Sequence, residues 1–73
     1  AWTLFYLGDY PRARTEFQKG VAVRPDWAGL HNGLGWTYLR LGERVKASAS
    51  FRRALQLQPG FADAQEGLAM AAR

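Results

Sequence analysis

The sequence contains no cysteine and a single histidine among its 73 residues. Without cysteine no disulfide can hold the fold together, and oxidising and reducing compartments are equally permitted. Nucleophilic catalysis needs a nucleophile, a base and an orienting group, and this composition supplies no credible set. Metal binding by one histidine would require clustered carboxylates, yet the six acidic residues are scattered. We therefore expect no enzyme activity, no metal site and no cofactor.

Long apolar runs are also missing. No stretch approaches the roughly 18 residues that a membrane span requires, and no charged and then apolar signal segment opens the chain. We expect a soluble chain without a transmembrane segment, in a compartment that the sequence does not identify. The chain is 48% hydrophobic and 22% charged, a balance typical of a folded protein. Its formal net charge of +4 favours acidic partners over basic ones.

What the sequence does contain is an internal repeat, whose interval of 34 residues is the spacing between Trp2 and Trp36. Pairs of identical residues at this interval include Trp2 and Trp36, Thr3 and Thr37, Gly8 and Gly42, Ala13 and Ala47, Phe17 and Phe51, and Pro25 and Pro59. Within one interval the apolar residues follow helical spacing on two separate faces. The repeat unit is therefore predicted to contain two helices.

Turn and capping residues mark the predicted helix limits. Gly42, like Gly8 one interval earlier, lies just past the end of a first helix, where a positive φ is often required. Asp9 suits the N-cap of the next helix, and Pro11 is tolerated in its first turn. A proline, Pro25 or Pro59, ends each second helix.

These residues resemble the tetratricopeptide repeat, which combines a 34-residue period with a W-x2-L-G-x2-Y helix, then A-x3-F and a closing proline. The matching segments here are HNGLGWTY, ASASF and QP. The resemblance implies an all-α solenoid of antiparallel helix-turn-helix repeats in a right-handed superhelix. It divides the chain into a partial repeat (1–27), a whole repeat (28–61) and the first helix of a third (62–73). His31 and Gln65 depart from the family pattern, which has tryptophan there.

Three glycines in the segment HNGLGWTYLRLG could suggest a phosphate-binding loop. That interpretation is weak, because Tyr38 stands where the third glycine of G-x-G-x-x-G would fall. We predict instead that Gly35 and its equivalents Ala1 and Ala69 allow paired helices to approach closely. Gly33 and Gly67 are predicted to mark a second tight crossing.

Two other features have simple structural explanations. His31 replaces a packing tryptophan of the family and is predicted to be a partly buried structural residue. Asp63 and Glu66 lie three residues apart on one helix face and could form an acid/base pair. Acidic residues near a helix start also favour the helix dipole, and this is the interpretation we prefer.

The first helices carry the candidate partner-binding residues, since in the tetratricopeptide family these helices line a concave groove that receives a peptide. The resemblance also places Asp63, Glu66 and Arg73 there, but the residues that we select are Trp2, Phe5, Tyr6, Asn32, Trp36, Leu39, Arg40 and Met70. Large apolar side chains in a row commonly mark an interaction surface. The alternative is that neighbouring helices or further repeats cover them. The residues that grip acidic chaperone tails in one branch of the family are missing, so an apolar or mixed ligand is preferred.

The function predicted first is therefore a non-catalytic protein-interaction module, with Arg40 as a polar anchor for the bound segment. A second hypothesis is that the repeats are structural spacers of a larger secretion, envelope or enzyme assembly, without a ligand of their own. A third and weaker one is binding of nucleic acid or acidic membrane by a basic stripe on the second helices, formed by Arg12, Arg14, Lys19, Lys46, Arg52 and Arg53. Self-association through uncovered terminal helices is also expected.

Overall fold

A computed structural model of the protein describes residues 2–73. Within this range the chain forms five α-helices and no β-strand: α1 (Trp2–Tyr6), α2 (Tyr10–Val23), α3 (Ala28–Arg40), α4 (Arg44–Leu57) and α5 (Ala62–Ala71). The prediction of an all-α repeat fold is confirmed. None of the helices in the described range combines the length and the apolar character needed to cross a membrane.

The helix limits recur at the interval of the sequence repeat. Helix α2 starts at Tyr10 and α4 at Arg44, while α2 ends at Val23 and α4 at Leu57. Each helix packs on the next one along the chain, and α3 also contacts α5. Because three residues connect α1 to α2 and α3 to α4, the helices of each pair run in opposite directions.

The two tight turns between paired helices each contain a glycine in the left-handed region, as the sequence predicts. Gly8 has φ of 83° and Gly42 has φ of 80°, values that a residue with a Cβ rarely adopts. The same hydrogen bonds close both turns. Gly8 N donates to Phe5 O at 3.0 Å, and Gly42 N donates to Leu39 O at 3.1 Å. The predicted N-cap is also present, since Asp9 accepts a hydrogen bond from Arg12 N at 3.4 Å.

The core is built around two phenylalanines from the second helices. Phe17 is 1% exposed and Phe51 is fully buried. Each ring lies against a first-helix glycine. A Cβ at Gly33 would overlap the ring of Phe17, and a Cβ at Gly67 would overlap the ring of Phe51. The prediction that glycines serve close packing is therefore confirmed at these positions.

Gly35 also faces Phe51, with the nearest ring atom 2.6 Å from where its Cβ would stand. The neighbour is thus an aromatic ring of the adjacent helix rather than its backbone, a detail that the sequence did not provide. Ala1, the predicted equivalent of Gly35 one repeat earlier, lies outside the described residues. Buried Ala13, Ala47 and Ala54 complete the small-residue surface of the second helices.

His31 and Gln65 make the same contact in successive repeats. His31 is 8% exposed, and its Nε2 lies 2.8 Å from the carbonyl oxygen of Pro25. Because a carbonyl only accepts, Nε2 carries the hydrogen that is donated. One interval later, Gln65 Nε2 donates to Pro59 O at 2.9 Å. The prediction of a structural histidine is confirmed, and each residue satisfies the carbonyl that follows a second helix.

Candidate partner-binding groove

An open groove of about 190 Å³ lies between the first helices α3 and α5. Trp36, Leu39 and Arg40 of α3 line it, together with Arg44 at the start of α4 and Met70 of α5. Three of its five lining side chains are therefore apolar, and the other two carry guanidinium groups. The lining thus combines apolar surface with positive charge.

Contacts between α3 and α5 show that the two helices run in the same direction. Near the start of both helices, Asn32 Nδ2 donates to Asp63 Oδ2 at 2.9 Å. Near the end of both, Met70 lines the groove beside Arg40. Along α3 the groove lining runs from Trp36 to Arg40. Asp63 is not itself a lining residue, but it accepts a hydrogen bond from Trp36, so we call the side of the groove nearest Trp36 the Asp63 end and the opposite side the Arg40 end.

Trp36 is held in place by two interactions. Its indole ring packs edge-on against Phe51, with ring centroids 5.4 Å apart and an interplanar angle of 79°. Its Nε1 donates to Asp63 Oδ2 at 3.2 Å. The ring is half-buried, so one part belongs to the core and another faces the groove. Fixing a large aromatic side chain in this way lowers the entropy that a bound partner would have to remove.

Asn32 does not lie on the open surface, in contrast to its expected position in the groove. Its side chain is 3% exposed, and its amide N–H group is engaged by Asp63. Its Oδ1 atom is buried and has no hydrogen-bond partner in the described part of the chain. Reversing the amide would bring two oxygens together, so the orientation is fixed by Asp63. In this structure Asn32 contributes to the groove by positioning Asp63.

The eight selected residues do not form one continuous row. Trp36, Leu39, Arg40 and Met70 line the groove, Asn32 is buried beside it, and Trp2, Phe5 and Tyr6 form a separate cluster on α1. Exposure within them varies widely. Tyr6 is 79% exposed and Met70 42% exposed, whereas Phe5 is only 9% exposed. The large apolar side chains expected in a row therefore fall into two groups that differ in exposure.

The α1 cluster is an aromatic assembly connected to the groove by Arg40. Trp2 packs edge-on against Phe17, with ring centroids 5.3 Å apart, which repeats the contact of Trp36 one interval later. Tyr6 stacks on Trp2 at 5.9 Å. The guanidinium of Arg40 lies 5.9 Å from the centre of the Phe5 ring, a cation–π distance. Arg40 therefore stands between the two surfaces.

The basic residues of the second helices are partly neutralised by neighbouring acids. Arg12 lies 3.5 Å from Asp9, while Lys46 and Arg14 lie 3.2 Å and 3.7 Å from Glu43. All three pairs are at least one-third exposed, so their contribution to stability is small. They do, however, reduce the positive charge of the predicted basic stripe.

Two residues important for the groove were not among those selected from the sequence. Arg44 stands one repeat interval after Tyr10, and this departure from an aromatic residue was the available signal. Asp63 was assigned mainly to the helix dipole. It does lie in the first turn of α5, but it also accepts hydrogen bonds from two side chains of α3. Nothing in a single repeat reveals such a contact between repeats.

Recurring helix pairs with a groove between their first helices define an α-helical repeat protein. A family model described as tetratricopeptide repeat matches residues 1–60 and again residues 32–73, and the chain belongs to the tetratricopeptide repeat family. Members of this family are in general non-catalytic modules of protein–protein interaction. A sequence comparison with curated proteins finds no match.

Proposed function

We propose that the groove between α3 and α5 binds a segment of a partner protein, without catalysis. The observation that carries the proposal is the open groove in which three apolar side chains, Trp36, Leu39 and Met70, adjoin the exposed Arg40. Tryptophan and arginine are the residues most enriched among those that dominate binding energy. Protein–protein interaction is also the general role of the family.

The partner segment is of apolar or mixed character rather than a purely acidic tail. Trp36 and Met70 in the groove lining favour an apolar side chain. The carboxylate of Asp63, which accepts a hydrogen bond from Trp36 beside the groove, disfavours a run of acidic residues. Nucleic acid and membrane surfaces fit less well, because the basic residues nearest the turns are paired with Asp9 and Glu43.

The α1 cluster extends this surface for a longer partner. Tyr6 is largely exposed to solvent, and its ring stacks on that of Trp2. Arg40 lies between Tyr6's neighbour Phe5 and the groove. A segment that crosses Arg40 would therefore contact both surfaces.

The test is selection of binders from a display library of random decapeptides. Peptides enriched on the wild-type chain are expected to lose about tenfold or more in affinity for the Trp36→Ala variant, because a central aromatic contact is removed. Met70→Ala should weaken binding in the same direction. Fluorescence anisotropy with the enriched peptides measures both effects.

Val45→Ala is the matched control, because Val45 is apolar and 86% exposed but does not line the groove. It should leave the affinity unchanged. Circular dichroism verifies that each variant is folded. An affinity for folded Trp36→Ala that equals that of the wild type would remove the groove from the proposal.

One observation favours the alternative that these repeats are structural spacers. Both first-helix tryptophans, Trp2 and Trp36, pack edge-on against core phenylalanines and so already have partners within the array. A chain extended by one repeat at each side separates the two functions. If both tryptophans are then shielded from a neutral quencher in the absence of any partner, the spacer function is favoured.

Self-association is proposed through the exposed end of the first hairpin. Tyr6 is 79% exposed and Leu7 is 75% exposed at this end, and large apolar residues there favour association. Sedimentation equilibrium should show dimers at high protein concentration, and Leu7→Ser should reduce them. A chain that remains monomeric throughout would contradict this prediction.

A further inference from the structure

Building on the proposed function, we infer that the groove recognises opposite charges at its two ends. It selects a partner segment with a basic side chain at the Asp63 end, an apolar side chain over Trp36 and Met70, and an acidic side chain at the Arg40 end. The inference rests on the distribution of hydrogen-bonding and charged groups along the groove.

At the Asp63 end, the side-chain N–H groups of Asn32 and Trp36 already donate to Asp63, and the Asp63 carboxylate is a hydrogen-bond acceptor. Asp63 Oδ2 receives the amide hydrogen of Asn32 and the indole hydrogen of Trp36, which are both neutral donors. Asp63 is exposed, and no cationic group lies within ion-pair distance of it among residues 2–73. Its charge is therefore available to a ligand.

The Arg40 end has the opposite character. Arg40 is exposed, and within the described range no carboxylate lies within ion-pair distance of its guanidinium group. Arg44 lines the same end and donates from Nη1 to the carbonyl oxygen of Arg73 at 2.6 Å. Two guanidinium groups without a neutralising acid favour a carboxylate from a partner.

The charges stand where the helix dipoles stabilise them. Asp63 is in the first turn of α5, and Arg40 is in the last turn of α3. Because α3 and α5 run in the same direction, their N-termini lie at one end and their C-termini at the other. A negative side chain at the first end and a positive one at the second are therefore both favoured by the helix dipoles. The polarity of the groove is thus compatible with the stability of the fold.

The spacing between the ends defines the partner more closely. Asn32 and Arg40 are separated by eight residues of α3, which corresponds to about 12 Å along the helix axis. An extended chain covers this length in about four residues, at about 3.3 Å per residue. The expected extended segment therefore carries its basic and acidic side chains about four positions apart, with an apolar side chain between them.

The random decapeptide library is profiled on the wild type and on two charge variants. Peptides enriched on the wild type should contain a basic and an acidic residue at the stated spacing. Asp63→Asn should remove only the preference for the basic residue. Arg40→Gln should remove only the preference for the acidic residue. In Asp63→Asn the amide oxygen can still accept from Trp36, so the groove keeps its shape.

Glu66→Gln is the matched control, since it removes one negative charge from the same helix, whereas Asp63 is the acidic residue of α5 that bonds to the groove-lining Trp36. It should leave both preferences intact. A measurement on the wild type alone supports the variants: replacing the basic residue of an enriched peptide by glutamine should weaken binding about threefold, the scale of an exposed ion pair.

The possible results separate this inference from the proposed function. Enriched peptides that depend on Trp36 but show no charge preference would overturn the inference and leave the binding function in place. The same conclusion follows if Asp63→Asn and Arg40→Gln change both preferences equally. A library that yields no binders would overturn both.

Discussion

Replacing Phe51 with alanine is expected to lower the free energy of unfolding by about 3–5 kcal/mol. The side chain is fully buried, and its ring is in contact with the backbone surfaces of Gly35 and Gly67 and with the edge of Trp36. A helix carrying alanine there would leave a cavity that the surrounding helices cannot fill. Because a chain this small has a stability of only about 5 kcal/mol, most molecules should then be unfolded at room temperature.

Urea denaturation followed by circular dichroism measures this effect. Val45→Ala is again the control, because the exposed Val45 side chain contributes little to the core and its truncation should change stability by less than about 0.5 kcal/mol. If Phe51→Ala lost less than about 1 kcal/mol, Phe51 would not be the centre of the packing between α3, α4 and α5.

Alanine substitutions at Gly33 and Gly29 are expected to have opposite effects on stability. Both glycines lie in α3, and alanine favours a helix over glycine by about 1 kcal/mol. A Cβ at Gly29 would have nothing within 4 Å, so Gly29→Ala should stabilise the chain by up to about that amount. A Cβ at Gly33 would overlap two atoms of the Phe17 ring and lie 2.7 Å from a third.

Phe17 is itself buried and cannot move aside without disturbing the first repeat. Gly33→Ala should therefore destabilise the chain by about 1–3 kcal/mol despite the gain in helix propensity. Comparing the two variants in urea separates the packing effect at Gly33 from helix propensity, which favours alanine over glycine at both positions. Equal shifts of the two unfolding midpoints in one direction would show that close packing is not the reason for glycine at this position.

The repeat fold was predictable because its determinants lie within one 34-residue interval. The turn glycines Gly8 and Gly42, the cap Asp9 and the core phenylalanines are local features with a single physical explanation each. Even the structural role of His31 followed from its position, since that position packs inside the helix pair. The structure adds that a hydrogen bond to the carbonyl of Pro25, rather than ring packing alone, is what this residue supplies.

The candidate site was predictable only in part, because it is formed between repeats. Sequence position places Asn32 and Trp36 on the first-helix surface, but not opposite any particular residue of α5. The two hydrogen bonds to Asp63 depend on how closely and at what angle α5 lies beside α3. Likewise, Phe5 and Leu39 are equivalent in the repeat, yet Phe5 is buried by its aromatic neighbours on α1. Such differences follow from tertiary contacts.

The placement of the Phe51 ring has a consequence for how the array opens. The ring belongs to α4, but it fills hollows on α3 in its own repeat and on α5 in the next. Detaching α5 from the array would therefore expose part of the same ring that anchors α4 to α3. Neighbouring repeats are coupled through one shared side chain, so local unfolding of one repeat destabilises the other. Such shared rings make the unfolding of adjacent repeats cooperative.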